Sequence, residues 1–129
     1  MKSVEEYINS FSEYDLIARN CRSKDEYKNI FITNCININN TDINIQEEIT
    51  ITNVLLNECE YIDYSKMNNI GWNIILTNSK VENGFPFTIG CNIYIPFDII
   101  VSYTKKELIK LLIHERLHIY QRYFPEDIN

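Results

Sequence analysis

His114 and His118 are the only histidines in this 129-residue chain, and they stand four residues apart with Glu115 directly after the first. The run Leu111-Leu112-Ile113-His114-Glu115-Arg116-Leu117-His118-Ile119 therefore carries an H-E-x-x-H pattern inside an apolar stretch. On an α-helix, residues i and i+4 lie about 40° apart on one face, so two imidazoles so spaced can reach a single metal ion. Zinc accepts neutral imidazole nitrogen at roughly 2.0–2.1 Å, and its catalytic sites use three protein ligands and an open position. Glu115, rotated about 100° from His114, stands beside such an ion without ligating it. A carboxylate placed there takes a proton from activated water and passes it to a leaving amine. The residues thus predict a Zn(2+) site with His114 and His118 as metal ligands and Glu115 as the catalytic general base. The competing reading is that both imidazoles are ordinary residues of a helix face.

The surrounding elements are predicted to hold this turn in place. Thr104-Lys105-Lys106-Glu107 has the form of a capping box, which starts a helix near Lys105, and Pro125 stops it at or before Phe124. From Leu108 to Tyr120 apolar residues fall nearly all round, the pattern of a helix buried in a domain body, with Lys106, Lys110, His114 and Gln121 as a polar stripe. Leu112, Ile113, Leu117 and Tyr120 are the expected packing residues. Upstream, Trp72 to Thr77 is a β-branched and aromatic run, and Phe87 to Ile95 alternates with period two, so two strands are expected near 72–77 and 87–95. Pro86 and Pro96 bracket the second, which suits an edge strand. Such an edge offers backbone groups to an extended peptide, and Gly90, Asn92 and Tyr94 are the expected substrate-binding positions.

The N-terminal half reads as helical. Ser3-Val4-Glu5-Glu6 and Ser23-Lys24-Asp25-Glu26 have capping-box form and open helices near Val4 to Phe11 and Lys24 to Asn34. Ser12 to Asn20 is a short helix or a continuation of the first. Ile36 to Asn40 is expected to be a loop. A further helix is expected from about Ile43 to Glu60, although Ile49 to Thr52 alternates in a manner compatible with a strand. The predicted fold class is α+β: a helical N-terminal half, a small antiparallel sheet, then a buried helix over about 105–124, all in one domain spanning 1–129.

Composition narrows the partners. A net charge of −6 and a pI near 4.9 lack the basic footprint of a nucleic-acid binder. Lys105, Lys106, Lys110, Arg116 and Arg122 gather on the last helix, where a solvated flank complementing the helix C-terminus is the expectation. Cys21, Cys35, Cys59 and Cys91 form no C-x-x-C pair and read as small buried residues. The start of the chain lacks the apolar core of a secretory signal, and no run approaches bilayer-spanning length, so a cytoplasmic setting without a membrane partner is expected.

With an edge-type strand from Gly84 to Pro96, a short connection through 98–103 and a helix bearing His114-Glu115-Arg116-Leu117-His118, the last 60 or so residues resemble the zincin metallopeptidases, above all small single-lobed ones. The continuation Ile119-Tyr120-Gln121-Arg122 also resembles zincin-like proteins encoded by large DNA viruses, which would place the chain in a host cytoplasm. The resemblance implies a peptide or protein substrate. It also implies a third zinc ligand downstream of His118, where eleven residues follow and Glu126 and Asp127 are the acidic candidates. Glu82, Glu60 and Asp63 are upstream alternatives, and the domain is otherwise expected to lack its third-ligand segment. Gln121 and Phe124 stand where the extended metzincin motif has glycine and histidine, which excludes that class. Tyr94, Tyr120 and Tyr123 are the tyrosines considered for steadying an oxyanion. The alternative is a degenerate, catalytically inactive zincin-like domain that binds or scaffolds.

Overall fold

The computed structural model describes residues 3–127, and its architecture is α+β. Three short helices come first: α1 (Val4–Asn9), α2 (Glu13–Ala18) and α3 (Lys24–Thr33). Each begins where a serine hydroxyl accepts an amide of the first turn: Ser3 from Glu6, Ser12 from Asp15 and Ser23 from Glu26. The second of these is a full capping box, which makes α2 a separate helix.

After α3 the chain enters β1 (Ile36–Asn37), a two-residue strand where a loop was expected, and then a single 3-10 turn over 38–40. The helix α4 (Gln46–Asn57) follows, shorter than the anticipated 43–60. The alternating Ile49-Thr50-Ile51-Thr52 lies within it; Thr50 and Thr52 turn their hydroxyls back to the carbonyls of Gln46 and Glu48. Strand β2 (Asn73–Thr77) precedes a turn over 82–84, in which Glu82, Asn83 and Gly84 all have positive φ. That left-handed run is held by a Tyr27 hydroxyl accepting the Glu82 amide at 2.8 Å and by the Glu82 carboxylate accepting from Arg19 at 2.7 Å and Tyr7 at 2.9 Å.

The expected single strand over 87–95 is instead a hairpin: β3 (Phe87–Ile89) and β4 (Asn92–Pro96), joined through Gly90 at φ 60° and Cys91. The hairpin corrects two further expectations. The sheet order is β1-β2-β4-β3, so β4 is interior and β3 is the edge. The sheet is mixed, with β2 and β4 parallel and the two outer pairings antiparallel. Pro96 ends the interior strand opposite Thr77, at a strand terminus where a missing N–H is tolerated.

Residues directly opposite one another share a face. Ile74, Leu76, Ile93 and Ile95 pack with Ile49 and Leu56 of α4 and with Leu108, Leu112, Ile119 and Tyr120 of the last helix. On the other face, Ile75, Tyr94, Phe87 and Ile89 pack with Ile8, Phe11, Tyr27 and Phe31 of the N-terminal helices. The sheet thus lies between two helical layers, and β4 contributes to both cores. A short helix α5 (Phe97–Ser102) leads into α6 (Lys105–Tyr123), whose capping box at Thr104 and Glu107 and whose end before Pro125 follow the sequence expectation. No helix among the described residues is long and apolar enough to cross a membrane.

Candidate metal and proton-transfer site

The histidines face outward from the middle of α6. His114 and His118 are both exposed, as are Lys106, Lys110 and Gln121 along the same polar stripe. Their rings meet edge to face, with centroids 4.5 Å apart and planes at 88°, and the two Nε2 atoms lie 3.0 Å from each other. Tetrahedral coordination at 2.0–2.1 Å would set two nitrogens roughly 3.3 Å apart. The observed separation is a few tenths of an ångström short of that spacing and is also that of an N–H···N hydrogen bond between the two rings.

Glu115 behaves differently from its neighbours. It is only 5% exposed, and its carboxylate accepts no hydrogen bond among the described residues. Burial pushes its carboxyl above the usual range, while His114, His118 and Arg122 pull in the opposite direction without overcoming the desolvation. An acid so placed holds its proton to higher pH than a solvated glutamate, which suits proton transfer.

Arg122 ties this face of α6 to the sheet edge. Its guanidinium donates to the Gly90 carbonyl at 2.6 Å and to the Thr88 hydroxyl at 2.9 Å, which places β3 alongside the helix that carries the two histidines. Gly90 is thus a turn residue held by α6. Asn92 and Tyr94 belong to the interior strand, so they correct the expected substrate-binding edge. Asn92 accepts from Asn73 at 2.8 Å, and Tyr94, 1% exposed, is stacked on Phe87 at 4.5 Å. The sequence signal that could have moved the edge to β3 was Gly90 itself, a residue that interrupts strands at turns.

The third-ligand candidates are not brought to the imidazoles. Asp127 accepts from the Tyr120 hydroxyl at 2.7 Å and from the Lys66 ammonium, and Glu126 is exposed on the 3-10 turn that follows the helix. Glu82 is taken up by Arg19 and Tyr7, Asp63 accepts from Ser65, and Glu60 is exposed beside Tyr61. Among the described residues no group of three or more His, Cys, Asp and Glu side chains is arranged to hold a metal ion. Of the tyrosines considered for an oxyanion, Tyr94 is packed, Tyr120 is committed to Asp127, and the Tyr123 hydroxyl is buried without a hydrogen-bond partner.

Arg116, read from the sequence as part of a solvated basic flank, is 2% exposed. It donates to the Tyr64 hydroxyl at 3.0 Å and to the carbonyls of Gly71 at 3.1 Å and Ile70 at 2.5 Å, with its guanidinium carbon 4.5 Å from the Trp72 ring centre. No pattern of charges along α6 distinguishes it from Arg122; only the third dimension does. No family model, curated protein or solved structure matches this chain.

Proposed function

We propose that the chain is a zinc-dependent peptide hydrolase of zincin type, with His114 and His118 holding the ion. The observation that carries this reading is the convergence of the chain's two imidazoles, Nε2 to Nε2 at 3.0 Å, beside a buried carboxyl on the same helix. Bound there, zinc supplies Lewis acidity toward a peptide carbonyl and toward water. Glu115 takes the proton from the attacking water and delivers it to the amine nitrogen that leaves; its desolvated carboxyl favours the protonated state that the second half of that transfer needs. The edge strand β3, fixed to α6 by Arg122, is the strand to which an extended substrate would add, so selection would rest on main-chain pairing more than on side chains.

A second reading is favoured by one specific observation, the lack of a third ligand group among the described residues. On that reading the domain is a degenerate zincin that binds a partner without cleaving it. Zinc titration and peptide-cleavage assays on the wild type, Glu115→Gln and His118→Ala separate the two. The hydrolase reading expects one zinc per chain in wild type and Glu115→Gln, cleavage lost in Glu115→Gln, and both lost in His118→Ala. Absence of saturable zinc binding in the wild type would refute it, and zinc binding without cleavage of any peptide would leave the binding-domain reading.

A further inference from the structure

Zinc held for structure takes four ligands in a closed tetrahedron, and the described residues of one chain bring it two. His114 and His118 are the chain's only histidines, and among the described residues no group of three or more His, Cys, Asp and Glu side chains is arranged to hold an ion. The neighbouring acid does not make up the number, because Glu115 is buried while both imidazoles are exposed. The face that presents them is also uncovered. Lys106, Lys110 and Gln121, which share its stripe along α6, are exposed, and no hydrogen bond or ion pair ties them to another element among the described residues. A surface carrying half of a tetrahedron is completed by a second surface of the same kind, and another copy of this chain carries one.

We propose that two copies of this chain share one zinc ion through His114 and His118 of each. The inference rests on the reading that this pair holds zinc, and it adds a control on the same site. Four imidazoles fill the coordination sphere, so the shared ion has no position left for water or a peptide carbonyl. The paired form is the closed state of the site, and a single chain with its own ion is the open one.

The geometry permits this approach. The 3.0 Å between the Nε2 atoms opens to the roughly 3.3 Å of a tetrahedral edge by small side-chain rotations, which exposed rings are free to make. Opposite edges of a tetrahedron are perpendicular. Each histidine pair spans one edge, and residues four apart follow one another along the helix, so the two α6 helices cross steeply over the ion. Lys110, about 6 Å along the axis from His114, thus diverges from its counterpart in the second copy, and the like charges do not meet. Contact between the copies is confined to the surroundings of the ion, which makes the pairing depend on zinc.

The test is a titration of the metal-free full chain with zinc chloride, read by light scattering for mass and by calorimetry for stoichiometry. Mass is expected to double from 15.3 kDa as zinc approaches one ion per two chains, and to fall back when further zinc gives each chain its own ion. Chelation should return the pair to single chains. Glu115→Gln should pair as the wild type does, because that side chain is not a ligand. His114→Ala and His118→Ala, at exposed positions where truncation spares the core, should each stay at the mass of one chain. A chain that binds one ion and stays single at every zinc level overturns the sharing and leaves the hydrolase reading in place. No saturable zinc binding overturns both. Doubling that persists in His118→Ala, or that needs no zinc, also overturns the proposal, since the contact would then lie elsewhere.

Discussion

Glu115 and Arg116 are adjacent and both buried, but the protein treats the two charges in opposite ways. Arg116 meets two carbonyls, a hydroxyl and an indole face, so its guanidinium is held on several sides without a carboxylate partner among the described residues. Arg116→Ala would leave those acceptors unpaired around a void, and a loss of about 3 kcal/mol in denaturant unfolding is expected. Arg116→Lys should recover only part of it, since a single ammonium does not span the same three acceptors. Glu115 has no such support. Its folded-state carboxyl titrates above its unfolded value, so the folded state binds more protons across that window and stability falls as pH rises through it. Glu115→Gln should therefore raise the melting temperature at neutral pH, and its advantage should disappear as pH drops below the unfolded value of about 4.3. A wild type as stable as Glu115→Gln at pH 7 would contradict the burial argument.

The last helix was legible in the sequence because every signal for it is local: the Thr104 and Glu107 capping box, the apolar periodicity and Pro125 are all set by neighbours within a few residues. Thr104→Ala removes one side of that box and should lower stability by about 1 kcal/mol without moving the histidines relative to each other. The hairpin was not legible in the same way. Phe87, Ile89, Cys91, Ile93 and Ile95 alternate without a break, yet the register sets Phe87 against Tyr94 and Ile89 against Asn92. Phe87 and Ile89 consequently face the N-terminal helices while Ile93 and Ile95 face α6. Period two reports a side of the strand and carries no record of a reversal, so only Gly90 could have signalled the turn. The candidate site divides along the same line: the histidines and Glu115 follow from helical spacing, whereas Arg122 reaching Gly90 and Thr88 depends on a sheet order that local pattern does not encode. At φ 60° Gly90 occupies backbone space that side chains resist, so Gly90→Ala should lower stability by about 1–2 kcal/mol. It should also perturb the amide shifts of Thr88 and Arg122 more than those of α3. Unchanged stability in that variant would remove the reason given for the turn.

On the scale of the whole molecule, the sheet separates two apolar clusters, and its two interior strands, β2 and β4, serve both. Ile93 and Tyr94 are consecutive residues, 0% and 1% exposed, pointing into opposite cores. Sharing the interior strands should make the layers unfold together, because neither helical layer can release its face of β2 and β4 without exposing the sheet that supports the other. Ile93→Ala and Tyr94→Ala should each lower stability by roughly 2–5 kcal/mol. Each should keep a single transition in which near-ultraviolet and far-ultraviolet signals coincide. Separate transitions, with the N-terminal helices melting ahead of α6 in Tyr94→Ala, would mean that the two clusters are independent units. The distinction bears on the site, since Tyr94 packs against Phe87 on β3 and β3 is the strand that Arg122 fastens beside His114 and His118. In a cooperative domain a cut in the N-terminal core shifts the stability of the whole α6 face. In a divided one the imidazole pair should persist at temperatures where α1 to α3 have already melted, and histidine ring resonances followed through the transition would report which occurs.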